Sequence, residues 1–311
     1  MSLLQNLKND TYKRKSMSII TFFFISFLIL DFVVSIFLRN GLEKYYGLDS
    51  EAEIALIGHS HLMLGIDKVK MEDELGINIA KYTSEGVNVS NRQLMIEHLL
   101  NKNNKIETII YGVDAWTFTG QGLSENSHVL FYPFLNNSNI NYFVKNSVSG
   151  IDYWSRKIIK STRYNEGLIA SSMRGYFSNW GNLKFGKVDI ERLTKSISLG
   201  EYRKIENNKE NIDILIETIE ELQKKEINII LLYIPTIDIV NQVEHQKFKE
   251  NLAIFRSIDK NNNNVEFVNF LEPFSHQYDL FFDPIHLNQK GQSKVTNELI
   301  KLFNTNNLKY D

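Results

Sequence analysis

Apolar positions along the chain fall into two kinds of pattern. Ile19 to Leu38 is apolar almost throughout, IITFFFISFLILDFVVSIFL, with Asp31 its one charged residue. Further on, short runs recur at Ile54–Ile57, Ile77–Ala80, Thr108–Tyr111, Ile229–Ile234 and Val265–Phe270. The first four read as strands buried on both faces, because such parallel strands show no alternation of apolar and polar positions, and Val265–Phe270 alternates like a final strand. Helical spacing falls between them. Ser90 with Gln93 three residues on reads as a capping box that opens a helix to about Leu100. Ile212, Leu215, Ile219 and Leu222 mark a second helix, Phe248, Leu252 and Phe255 a third, and Val295, Leu299 and Leu302 a last one. Strands separated by helices predict an α/β fold with about five parallel strands in three layers. The order they suit is flavodoxin-like.

One segment breaks the rhythm. From about 118 to 202 aromatics are dense but aperiodic, among them Phe131, Tyr132, Phe134, Tyr142, Tyr153, Trp154, Tyr164 and Trp180. This reads as an insertion of packed helices and loops covering one end of the sheet. Its aromatics are expected to form its own core rather than a stacking surface for sugars, since aromatics dominate buried area.

Twenty residues at helical rise reach about 30 Å, the thickness of a bilayer's hydrocarbon. The 19–38 run is longer than the core of a secretory signal, and no small-x-small cleavage pattern follows in RNGLEKYYG. Lys8, Lys13, Arg14 and Lys15 precede it. The expectation is a cytoplasmic tail (1–18), an uncleaved transmembrane helix (19–38), a short polar tether (39–53) and an α/β domain (54–305) outside the cell membrane. Asp31 near mid-span costs roughly 2.5–3.5 kcal/mol. It reads either as a contact for another membrane protein or as a tolerated, snorkelling carboxylate.

Composition narrows the chemistry. Lys and Arg (35) are balanced by Asp and Glu (37), with no basic cluster of the kind that binds nucleic acid. Without cysteine there is no thiol nucleophile, disulfide or Cys-based zinc site.

Two places hold reactive side chains. The first strand ends in Gly58-His59-Ser60-His61, which delivers a serine to the sheet's ligand-binding edge. Asp283-Pro-Ile-His286-Leu-Asn288 lies between the last strand and the last helix, at the same edge. A serine hydroxyl needs an imidazole to take its proton, and the imidazole needs an acid to fix its tautomer. Asp and His three apart on one loop supply both.

Gly58-x-Ser60 followed by Gly65-Ile66-Asp67, with Asp283-Pro-Ile-His286-Leu-Asn-x-x-Gly291, resembles the SGNH (GDSL-like) hydrolase superfamily. The resemblance is strongest to its membrane-anchored branch, the alginate O-acetylation proteins and the teichoic-acid D-alanylation protein D family. It implies Ser60 as nucleophile, His286 as base and Asp283 as orienting acid. The backbone N–H groups of Ser60 and Gly86 would form the oxyanion hole.

The third block departs from the superfamily pattern. Tyr111-Gly112-Val113-Asp114-Ala115-Trp116 carries Asp114 where an oxyanion-binding Asn is usual. Loss of one such donor costs about 10²–10³ in rate. Asn88 or Asn91 is the substitute donor to consider, and Asp114 and Trp116 remain substrate-side candidates. His59 and His61 invite a metal, but Met63 and Leu64 stand where a metallohydrolase pattern needs further ligands, so no metal is expected. No cofactor is implied either. The two histidines read instead as shaping the serine turn or touching substrate.

The resemblance implies a serine O-acyltransferase working through an acyl-Ser60 on a cell-surface polysaccharide or teichoic acid-type polymer. Its implied partners are an acyl donor and a multi-pass membrane O-acyltransferase. An esterase of the same fold and a non-catalytic accessory protein stay open.

Overall fold

Each short apolar run forms a strand of one sheet: β1 (Ile54–Gly58), β2 (Ile79–Thr83), β3 (Thr108–Val113), β4 (Asn228–Tyr233) and β5 (Val265–Asn269). The computed structural model describes the backbone of residues 2–120 and 127–305, with side chains from residue 14. All four ladders are parallel, and the order β2-β1-β3-β4-β5 is the flavodoxin-like one. Register pairs Ile57 with Tyr82 and with Tyr111, so β1, β2 and β3 finish side by side at one edge.

In chain order the helices are α1 (Ser2–Tyr46), α2 (Ser60–Gly65), α3 (Lys68–Leu75), α4 (Val89–Leu100), α5 (Ser138–Ser147), α6 (Gly150–Ile158), α7 (Glu166–Tyr176) and α8 (Ile190–Ser198). α9 (Lys209–Gln223), α10 (Asp238–Val243), α11 (His245–Asn261), α12 (Leu271–Phe274) and α13 (Gln289–Asn304) complete them. On one face of the sheet Ile57, Ile109 and Leu231 pack with Met95 of α4, Ile219 of α9 and Phe255 of α11. On the other, Leu56, Ile110 and Ile230 pack with Leu62 of α2, Met71 of α3 and Val295 of α13. Each fully buried Leu or Ile contributes about 1.5–3 kcal/mol of transfer free energy to these layers.

The start of α4 differs from the sequence expectation. Its N-cap is Asn88 rather than Ser90, and Asn91 returns the bond to complete the capping box. Asn caps as well as Ser, and the buried Val87 and Val89 draw the helix start two residues earlier.

The 39–53 stretch is not a free polar tether. α1 runs on without a break to Tyr46, and Leu42, Tyr45, Tyr46, Leu48 and Ala52 join the core. Leu38, Leu42 and Tyr45 keep helical spacing, and the outward Asn40 and Lys44, with Asp49, Glu51 and Glu53 beyond the helix, make the sequence read as polar. Here α1 lies against α7 so closely that a Cβ on Gly175 would sit 2.0 Å from the Gly41 carbonyl oxygen.

Further toward its start α1 stands clear of the domain, and Met17 through Leu30 carry exposed apolar side chains. By length and composition α1 can cross a membrane, with a mean hydropathy of 2.6 over its most apolar window. Asp31 has an intrachain partner. Its carboxylate accepts the backbone N–H groups of Lys160 (2.6 Å) and Ser161 (2.7 Å), in a 3-10 turn over Lys160–Arg163.

The insertion between β3 and α9 carries α5 to α8 and lies along α1. Phe131, Tyr132, Phe134, Tyr153 and Tyr164 are buried, as expected of an insertion core, whereas Tyr142, Trp154 and Phe177 are exposed. Residues 121–126 of this segment lie outside the described residues.

Candidate active site

The serine turn is built from glycines, a histidine cap and a buried lysine. Gly58 ends β1 beside Gly112 of β3, and Leu62 of α2 sits over the pair. A Cβ at Gly112 would come 2.9 Å from the Leu62 Cβ, and one at Gly58 3.0 Å. The missing side chains let α2 start directly above the strand ends. His59 caps α2 with Nδ1 accepting the His61 N–H at 3.1 Å. Ser60 is the first residue of the helix, so its backbone N–H has no intrahelical acceptor. At the far end the Lys81 ammonium, from β2, donates to the carbonyls of Met63 (2.8 Å) and Ile66 (2.6 Å). Those carbonyls belong to a helix too short to satisfy them itself. Burial pushes the Lys81 ammonium down to about 7.

The second loop meets this turn. An isolated bridge joins Phe281 to Leu287, and the Phe282 N–H donates to the His286 carbonyl at 2.9 Å. Inside the turn Asp283 Oδ1 accepts the N–H groups of Ile285 and His286, both at 2.9 Å. Asp283 Oδ2 lies 2.7 Å from His286 Nδ1, and His286 Nε2 lies 2.8 Å from Ser60 Oγ. With Nδ1–H donating to the carboxylate, Nε2 is left as acceptor for the serine hydroxyl. Burial opposes charge on Asp283, but the His286 hydrogen bond and the two backbone donors hold its carboxyl below the usual range. The structure therefore brings Ser60, His286 and Asp283 into one hydrogen-bonded line.

A second acid–histidine group lies beside the first. His59 Nε2 contacts Asp114 Oδ2, and His61 Nδ1 lies 3.1 Å from the same oxygen. The other carboxylate oxygen accepts the Trp116 N–H at 2.7 Å, and the Asp114 N–H donates to Thr117 Oγ1 at 2.8 Å. Asp114 is thus held by its own turn and by two imidazoles. Burial drives His59 down to about 3 and lowers His61 as well. Burial works against the Asp114 charge, yet the two imidazoles keep it well below the ordinary carboxylate value. The His61 ring stands edge-on to that of His286, centroids 5.1 Å apart.

These three donors, all within 4.8 Å of one another, are the set among the described residues that could hold a metal ion. Ligands at about 2.0–2.2 Å around a tetrahedral ion lie roughly 3.3 Å apart. Both imidazoles lie in direct contact with the Asp114 carboxylate.

The remaining predicted residues divide by position. Gly86 sits in the loop after β2 at φ +71°, a backbone conformation that favours glycine. That loop is drawn to the strand edge by the Ser84 N–H, which donates to the Gly58 carbonyl at 3.2 Å. Asn88 and Asn91 spend their side-chain oxygens on capping α4, and the Trp116 indole N–H donates to the Arg203 carbonyl at 3.1 Å. Sequence reading missed Arg92. It is fully buried and donates to the carbonyls of Gly112 (2.8 Å) and Val87 (3.2 Å), joining the end of β3 to the Gly86 loop. Lys81 is signalled by a charge set within an apolar stretch, whereas Arg92 stands among polar neighbours, Ser90, Asn91 and Gln93, and carries no such signal.

Two concavities flank the serine without including Ser60 or His286 in their walls. One of about 570 Å³ is lined by Met63, Thr83, Glu85 and insertion residues such as Asn165. The other, of about 370 Å³, is largely apolar and lined by Trp116, Ile197, Tyr202, Val240 and Asp283.

No family model and no curated protein sequence matches the chain. Among 23 solved chains that match it in structure is a Streptococcus pneumonia protein provisionally described as a platelet activating factor. The two are 12% identical, the match covers 91% of this chain and 99% of that one, and the TM-score is 0.43.

Proposed function

We propose that this chain is a membrane-anchored serine acyltransferase of SGNH type. It passes an acyl group, acetyl in the simplest case, to hydroxyls of a cell-surface polysaccharide or teichoic acid-type polymer. The observation that carries the reading is the line from Asp283 through His286 to Ser60, 2.7 and 2.8 Å, at the carboxyl edge of a parallel sheet.

In the forward step Ser60 Oγ attacks the donor's acyl carbon while His286 Nε2 takes the hydroxyl proton. Asp283 holds the imidazole in the tautomer that makes this possible. Charge developing on the acyl oxygen is met by the backbone N–H groups of Ser60 and Gly86. The imidazolium then protonates the departing donor, leaving the acyl on Ser60. An acceptor hydroxyl enters, loses its proton to His286 and attacks the same carbon, and Ser60 leaves with the proton returned. Asp114 has its oxygens engaged by His59, His61 and the Trp116 N–H.

Anchoring is supported by the course of α1. Removing the apolar segment at Leu38, as cleavage of a secretory signal would, cuts the helix just before Leu42, Tyr45 and Tyr46, which fill the core. An uncleaved helix with its basic N-terminus in the cytoplasm places the domain outside, where a multi-pass O-acyltransferase would hand over acyl groups. Confinement to the membrane raises the local concentration of donor or acceptor held there.

Water in place of the acceptor gives the esterase, with the same intermediate. A fluorophosphonate probe on the full chain in detergent tests the serine chemistry. Labelling that disappears in Ser60→Ala supports it, and an unlabelled but folded wild type returns the protein to a binding role. Acyl release into water that is unchanged by added polymer acceptor counts against transfer.

A further inference from the structure

We infer that helix α6 and the following 3-10 turn lie in the bilayer interface as a second membrane contact of the domain. The inference rests on the membrane reading of α1. It begins from a mismatch of lengths. The part of α1 that stands clear of the domain on all sides ends at Leu30, because Asp31 is already buried against the insertion. From Met17 to Leu30 a helix rises only about 20 Å, short of a hydrocarbon core of about 30 Å.

Beyond Leu30 the outer face of α1 stays apolar and exposed through Phe32, Val33, Val34 and Phe37. Met17 to Phe37 spans about 30 Å and matches the core. Burying that face in lipid takes whatever packs on the opposite face down with it. The element at Asp31 is the Lys160–Arg163 turn, and Tyr164 hydrogen-bonds to Ser35 one turn higher. From Asp31 to Phe37 is about 9 Å along the axis, so the turn enters the leaflet to about the 5–10 Å at which interfacial helices settle.

The residues at this tip fit that place. Ile151, Trp154 and Ile158 of α6 are exposed by 87%, 62% and 59%, and their i, i+3, i+7 spacing sets them on one face. α6 buries Tyr153 on the domain side with the Trp154 ring edge-on to it, and among the described residues the outward apolar face stays exposed. Lys157 and Lys160, both half-buried, flank it, while Arg156 is paired with Asp152 at 2.9 Å and lies over the Tyr132 ring. Lys160 holds its ammonium 3.9 Å from the Phe32 ring of α1, an amphipathic arrangement at the point where the helix leaves the insertion. Apolar face, tryptophan and two flanking lysines together are the composition of a helix lying on phospholipid.

Because the chain has no cysteine, single-cysteine spin labels report position directly. The full chain carrying Phe24→Cys, Trp154→Cys, Ile158→Cys or Glu250→Cys is placed in phosphatidylglycerol-containing nanodiscs. Collision of each label with oxygen and with a water-soluble nickel chelate is then measured. The labels at 154 and 158 are expected to favour oxygen and to report depths of about 5–10 Å below the phosphates, while 250 favours nickel. A label at 24 in lipid with 154 and 158 as nickel-accessible as 250 overturns the inference and leaves the anchor standing. Labels at 154 and 158 shielded from both reagents mean that protein covers the face, which also overturns it. A label at 24 open to nickel removes the anchor and the inference together.

Discussion

Two acid–histidine groups lie side by side at the edge of this sheet, and they are made of the same residue types. Asp283 and His286 keep about a third and a fifth of their side chains exposed, in line with a serine hydroxyl. Asp114, His59 and His61 are almost wholly buried, and their carboxylate closes on two imidazoles and a backbone N–H. In the first pair the ring nitrogen away from the acid faces a hydroxyl proton. In the second, His59 has its far nitrogen committed to capping α2. Exposure and the partner of the second nitrogen therefore separate a group able to move a proton from one that holds a turn. Residue type alone does not.

The largest expected difference follows directly. His286→Ala should lower acyl-enzyme formation on the order of 10⁴-fold or more while the melting temperature stays near that of wild type, read by probe-labelling rate and calorimetry. Asp283→Asn should follow with a loss of roughly 10³–10⁴, since the neutral amide no longer fixes the His286 tautomer. A mild effect there would mean the aspartate only shapes its turn.

Asp114→Asn should act the other way, costing on the order of 3–5 kcal/mol of stability in denaturant unfolding with a smaller change in labelling rate. Should it abolish labelling in a protein of normal stability, the two groups would have to be regarded as one machine. The smallest effect is in pH. His59 is held near 3 when folded but titrates near 6.5 when unfolded, so below pH 6.5 the unfolded chain binds more protons and stability must fall with acidification. Asp114 and Asp283, both lowered, add to the fall once pH drops below their ordinary 3.8. Melting temperatures from pH 7 to 4 should decline in wild type and less steeply in His59→Gln.

What could be read from the sequence was whatever is signalled locally. β1 to β4 appear as largely apolar runs because both their faces are buried, the edge strand β5 shows as a mixed one, and Ser60, Asp283 and His286 stand at strand and loop ends where reactive groups collect. What escaped depends on partners distant in sequence. Lys81 looks like a break in a strand until α2 lies across it. Arg92 looks like a surface helix residue until Gly112 and Val87 present their carbonyls. The polar run after Leu38 conceals a core helix because its outward residues are the ones that catch the eye, and Asp31 has a partner that the sequence places 129 residues away.

The unbroken passage of α1 into the core, locked by Gly41 against Gly175, makes helix and domain one stiff body. On the anchored reading such a body works as a ruler. A loose leash would let Ser60 range over many heights, averaging over distance. A rigid mount would hold Ser60 at one height relative to the membrane.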